Sequence, residues 1–241
     1  MAGQDGDTGT TVFRVQPLRV ILALAAAMIL LVLASVAGQV SKYFFGHDQV
    51  GGLVRLFYVD AEANLPTWYA TVTLLLCAVL LAAIALHYKS TQNRQVFHWA
   101  GLSVLFLGLS ADEAAQIHEI SWRVTGRSAV IEKWFPAEWV GLGLAFALVV
   151  AVVYWKFLFS LPVRTRNLLI VAGILYVGGA AGLETVGWGL FATAGSNNFR
   201  YAMVATAEEL LEMSGLVGLL WALLDYSQTH VGRVTIRVGK S

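Results

Sequence analysis

The chain has 241 residues, 58% hydrophobic and only 13% charged, with a mean hydropathy of +0.68. Soluble domains carry about 25% charged residues, so this composition excludes a water-soluble enzyme and points to an integral membrane protein. The formal net charge of +1 offers nothing to nucleic acid, and a single cysteine, Cys77, excludes an intramolecular disulfide and a cysteine metal cluster.

Residues 1–16 are rich in Gly, Asp and Thr and read as a disordered tail. Apolar runs of spanning length, about 20 residues, follow at about 18–40, 67–88, 97–119, 138–161, 167–193 and 201–225. The predicted fold is therefore all-α: a polytopic transmembrane bundle of six helices, occupying 17–226 as one domain, with a short cytoplasmic tail at 227–241. The first run is read as a retained span; a leader cleaved after Ala37, in Ala34-Ser35-Val36-Ala37, is the alternative.

Orientation follows from Lys and Arg in the short loops. With the N-terminus inside, Arg14, Arg19, Lys89, Arg94, Lys156, Arg164, Arg166, Arg233, Arg237 and Lys240 are cytoplasmic. Lys42, Arg55, Arg123, Arg127, Lys133 and Arg200 then fall outside. This bias predicts an N-in, C-in topology. Tyr43, Trp68, Trp99, Trp122, Trp134, Trp139, Trp155 and Trp221 sit near the expected boundaries as interfacial anchors. The fifth run carries Gly173, Gly178, Gly179, Gly182, Gly187 and Gly189. Small residues let helices approach closely in lipid, so this helix is expected to be central.

The acidic residues are sorted by depth. On this topology Asp112, Glu113 and Glu119 lie in the outer half of the third span, and Glu184 in the outer half of the fifth. Glu208, Glu209 and Glu212 lie roughly 10–16 Å below the outer surface at 1.5 Å per residue. Asp60 and Glu62 lie just above the second span. At about 100° per residue, Asp112, Gln116 and Glu119 share a face of the third helix, and Glu208, Glu209 and Glu212 one arc of the sixth. Ionisable groups at such depth cost roughly 2.5–3.5 kcal/mol each. Seven carboxyls with no Lys or Arg in those helices at that level must be neutralised by protons or by a cation; His118 is the one cationic candidate among them.

Three readings follow. In the first, Asp112, Glu113, His118, Glu119, Glu184, Glu208, Glu209 and Glu212 hold a divalent metal, with Asp60, Glu62 and Gln116 as secondary candidates. Carboxylates suit Ca, Mg or Mn, and His118 admits Fe or Zn. Were the site hydrolytic, Glu113 or Glu209 would be the general base on metal-bound water. The paired Glu-x-x-His pattern of di-iron bundles is absent. In the second reading the acids belong to a proton- or cation-coupled transporter. In the third they form a structural polar network with Ser110, Thr185 and Thr206, or a subunit contact. The expected partners are the lipid bilayer and a small cation.

Asp112-Glu113-x4-His118-Glu119, Glu208-Glu209-x2-Glu212-Met213-x-Gly215 and Glu62-x-Asn64-Leu65-Pro66-Thr67-Trp68 together resemble a family of bacterial polytopic membrane proteins of uncharacterised function. The resemblance implies a bacterial inner-membrane location and lends weight to the acidic site.

Overall fold

The computed structural model describes residues 16–117, 138–195 and 197–232. Among these the chain is helical, with no strand. Helix α1 (Pro17–Phe45) leads through a 3₁₀ turn, Val50–Gly52, to the short α2 (Leu53–Phe57). Helices α3 (Leu65–Ser90) and α4 (Val96–Ala115) follow, then α5 (Glu138–Ser160) and α6 (Val163–Val177). A π-type segment, Gly178–Leu183, joins α6 to α7 (Glu184–Ala194). Helix α8 (Phe199–Tyr226) is last, closed by a second π-type turn, Ser227–Val231.

The boundaries have local causes. Pro17 opens α1, where a missing N–H costs nothing, and Gly46 closes it at φ 70. Asn64 caps α3: its Oδ1 accepts from the Thr67 N–H at 3.1 Å. Asn198 caps α8 in the same way, accepting from the Tyr201 N–H at 2.8 Å. Pro162 precedes α6.

Four helical stretches are long and apolar enough to cross a membrane: Pro17–Phe45, Leu65–Ser90, Val140–Ser160 and Val163–Ala194. The last runs through the π-type segment, so it is one continuous rod built from α6 and α7. Helices α4 and α8, which carry Asp112, Glu113, Glu208, Glu209 and Glu212, are not among the four.

Helices α3 and α8 form the centre. Helix α3 packs along α4 and against α8, and α8 also meets α1, α6, the π-type segment and α7. The expectation of a central fifth helix is corrected. Half of α3's apolar stretch is buried, against about a tenth for the α6–α7 rod. Of the rod's glycines, Gly173, Gly178, Gly182 and Gly189 have nothing within 4 Å of where a Cβ would stand. Gly179 is the one that makes a close approach: a Cβ there would lie 2.8 Å from the Glu208 carbonyl and 2.9 Å from Glu212 Cγ.

One end of the bundle is closed by aromatic rings. Trp99 is fully buried between Tyr226, Phe157 and Tyr88, at centroid distances of 4.9, 5.0 and 6.5 Å. His230 stacks on Tyr226 at 4.7 Å and His98 on Phe157 at 4.7 Å. Asp112 and Glu113 occupy the other end of α4, and Glu208, Glu209 and Glu212 the other half of α8.

Candidate carboxyl pocket

Helix α4 ends sooner than its apolar pattern suggests. The helix stops at Ala115, and Gln116 takes a left-handed conformation, φ 54 and ψ 41. Gln116 therefore leaves the face it was expected to share with Asp112. Its Nε2 instead donates to Glu62 Oε2 at 3.4 Å, tying the end of α4 to the segment before α3. Asp112 and Glu113 stay in the last turn, half-buried. One turn earlier, Ser110 Oγ donates to the Thr71 carbonyl at 3.0 Å and Ser103 Oγ to that of Ala78 at 2.9 Å. These bonds hold α4 on α3. His118 and Glu119 lie outside the described residues.

The π-type segment delivers Glu184. It adds a residue to the turn just before Glu184, and such widened turns re-aim the side chains beside them. Glu184 is half-buried, and its carboxyl lies beside that of Glu208. Glu208 is buried, 7% exposed. Glu209 has Glu212, Glu113, Asp60 and Glu62 as electrostatic neighbours. Glu212 has Glu208, Glu113 and Glu184. Glu113 of α4, Glu184 of α7 and Glu208, Glu209 and Glu212 of α8 are thus electrostatic neighbours. Asp112 reaches it through Tyr176, whose hydroxyl feels Glu212, Glu113, Glu209 and Asp112.

The pocket also contains residues that a search for acids alone misses. Tyr176 comes from α6, Tyr201 from the first turn of α8, and Tyr58 from the end of α2. In a chain this apolar, a tyrosine reads as another interfacial ring; only its position beside an acid reveals a donor. Tyr201 Oη donates to Asp60 Oδ1 at 3.5 Å, and the Tyr58 hydroxyl also lies beside Asp60. Burial, then the Asp60 charge, raises the Tyr58 hydroxyl far above its usual range, so it serves as a donor throughout the physiological range. Asp60 is exposed as a whole residue. Loss of solvent around its carboxyl is nonetheless the first cause that raises it from 3.8 to about 6, with Glu62 adding to the rise and the two tyrosine hydroxyls opposing it.

The metal expectation finds no support in this arrangement. Among the described residues no group of three or more His, Cys, Asp or Glu side chains could hold a metal ion. The carboxyls instead pair with one another and with hydroxyl and amide donors. Two carboxyl oxygens can hydrogen-bond only with a proton between them, because an ionised carboxylate is an acceptor alone. A direct bond between the Glu184 and Glu208 carboxyls therefore requires one of them to be protonated.

A family model described as "Domain of unknown function (DUF8692)" matches residues 21–227 of the chain. No curated protein and no solved structure matches it.

Proposed function

The chain belongs to the family described as a domain of unknown function, DUF8692, and from that premise we propose that it is a multi-pass protein of a bacterial inner membrane whose carboxyl pocket binds a cation. In this reading the cation is a proton shared by Glu184 and Glu208. What supports this reading is the juxtaposition of the Glu184 and Glu208 carboxyls, with Glu113, Glu209 and Glu212 close enough to compete for the same charge. In this reading α4 and α8 cross the bilayer with the four more apolar stretches, giving six spans. The distribution of Lys and Arg favours both termini inside and the pocket facing out. Among the described residues the opposite end is filled by Trp99, Tyr226 and Phe157. The pocket then exchanges protons with the outer side alone and serves as a binding site rather than a conduit.

A lipid-soluble carbodiimide tests this. The reagent takes the proton of a neutral carboxyl on nitrogen; the carboxylate then attacks the central carbon, and the adduct rearranges to a stable acylurea. At neutral pH it should modify Glu184 or Glu208 in membranes, and Glu208→Gln should abolish that labelling. A metal-filled pocket behaves differently: chelator would be required before either residue reacts. Labelling that appears only after chelation, or only on strong acidification, would overturn the shared proton.

A further inference from the structure

Helices α5 and α6 meet at a tight turn, Leu161-Pro162, between two apolar stretches of spanning length, Val140–Ser160 and Val163–Ala194. Protein covers little of either: 6% of the first stretch is buried and 11% of the second. With both stretches crossing a bilayer, the turn stands at headgroup level and the flanks beside it are left to acyl chains.

The two arginines after the turn are used differently. Arg164 is neutralised: its Nε donates to Asp225 Oδ2 and its Nη2 lies against Oδ1, both at 3.0 Å, which ties α6 to the end of α8. Arg166 faces the other way, two residues and about 200° further around α6. Its guanidinium lies over the Phe159 ring of α5, 5.1 Å from the centroid. Phe159 in turn packs on Trp155 at 4.4 Å. The first turn of α6 holds no acid, and among the described residues no carboxylate pairs with Arg166 or Lys156. A guanidinium laid on a ring keeps its in-plane N–H donors at its rim, in the fork that suits a phosphate. Arg166 is half-buried, where donors without acceptors are costly. Lys156, exposed and within a turn of Phe159, brings a second positive charge.

The flank supplies an apolar complement. Val152, Trp155 and Phe159 fall on one stripe of α5 by helical spacing. All three are exposed, as is Val163 at the start of α6. A free anion gains nothing from that surface. A lipid uses both parts, with its phosphate on the guanidinium and a chain along the stripe.

We propose that Arg166, laid on Phe159 beside Trp155 and Lys156, binds the phosphate of an anionic phospholipid at the α5–α6 turn. The headgroup is anionic rather than zwitterionic because two positive charges meet there with no acid between them. The site rests on the reading of α5 and the α6–α7 rod as membrane spans and makes no use of the carboxyl pocket.

Lipid titration of the delipidated full-length protein in detergent, read by native mass spectrometry, tests it. Phosphatidylglycerol should fill the first site more tightly than phosphatidylcholine. Arg166→Gln should lose roughly fivefold in phosphatidylglycerol affinity and keep its phosphatidylcholine binding, which reports an intact fold. Arg94→Gln, which removes the same charge from the exposed turn before α4, should keep the wild-type preference. Glycerol 3-phosphate at the lipid's concentration should displace nothing. Equal affinity of the wild type for the two lipids, a preference that survives in Arg166→Gln, an equal loss in Arg94→Gln, or displacement by glycerol 3-phosphate would each overturn the site. Release of the protein from membranes by alkaline carbonate would instead overturn the spans on which the site rests.

Discussion

A Gly215→Ala protein is expected to be less stable than the wild type, although alanine is the better helix former. In an unpacked helix this change gains about 1 kcal/mol. At Gly215 the added Cβ would lie 2.8 Å from the Ala172 carbonyl, from Tyr176 N and from Tyr176 Cβ. Two of those three atoms are backbone, so relief requires α8 and α6 to separate. Overpacking of this kind costs about 1–3 kcal/mol, which outweighs the propensity gain. The separation would also pull Glu208 and Glu212 from Gly179, where the same two segments touch. Gly189→Ala, on α7 with open space around it, should be neutral or stabilising. Denaturation in mixed micelles measures both. Equal behaviour of the two variants would mean that α6 and α8 are not in the close contact described.

The second large effect falls on Glu208. In Glu208→Ala the half-buried Glu184 carboxyl loses the partner proposed for it. Leaving such a group without a partner costs roughly 1–3 kcal/mol, more if it is charged. Glu208→Gln keeps the size and an N–H donor for Glu184, so it should retain most of that stability while discarding the titratable proton. The same denaturation experiment, run at neutral pH, should rank wild type and Glu208→Gln close together and Glu208→Ala well below. If Glu208→Gln falls as far as Glu208→Ala, the contact depends on something other than a donor at position 208.

Several features of this fold are readable from the chain because the physics is local. An apolar run of about 20 residues forms helix whatever surrounds it, so the six helical stretches stand close to where the hydropathy places them. The phase of Glu208, Glu209 and Glu212 is equally local, since spacings of three and four residues stack on any helix. The centre of the bundle is not local. A helix facing lipid is as apolar as one facing protein, so glycine content misidentified the α6–α7 rod as central when α3 and α8 are more buried. The end of α4 was hidden for another reason. Neither Gly nor Pro marks Gln116; its left-handed turn goes with the bond to Glu62, fifty-four residues earlier. The widened turn at Gly178–Leu183 leaves no motif either. The acidic residues were visible as a group because charge in an apolar run stands out, whereas Tyr58, Tyr176 and Tyr201, which complete the pocket, look like membrane anchors.

The most direct test of the shared proton is an infrared measurement of the carboxyl stretch in lipid at neutral pH. A carboxyl that holds its proton absorbs above the amide band; an ionised one does not. The wild type should show this absorption, shifted by deuterium exchange, and Glu208→Gln should lose a distinct component of it while Glu62→Gln, in the segment before α3, leaves that component in place. A wild-type spectrum without a protonated-carboxyl band at neutral pH, or a band that survives unchanged in both Glu208→Gln and Glu184→Gln, would contradict a proton held between these two side chains.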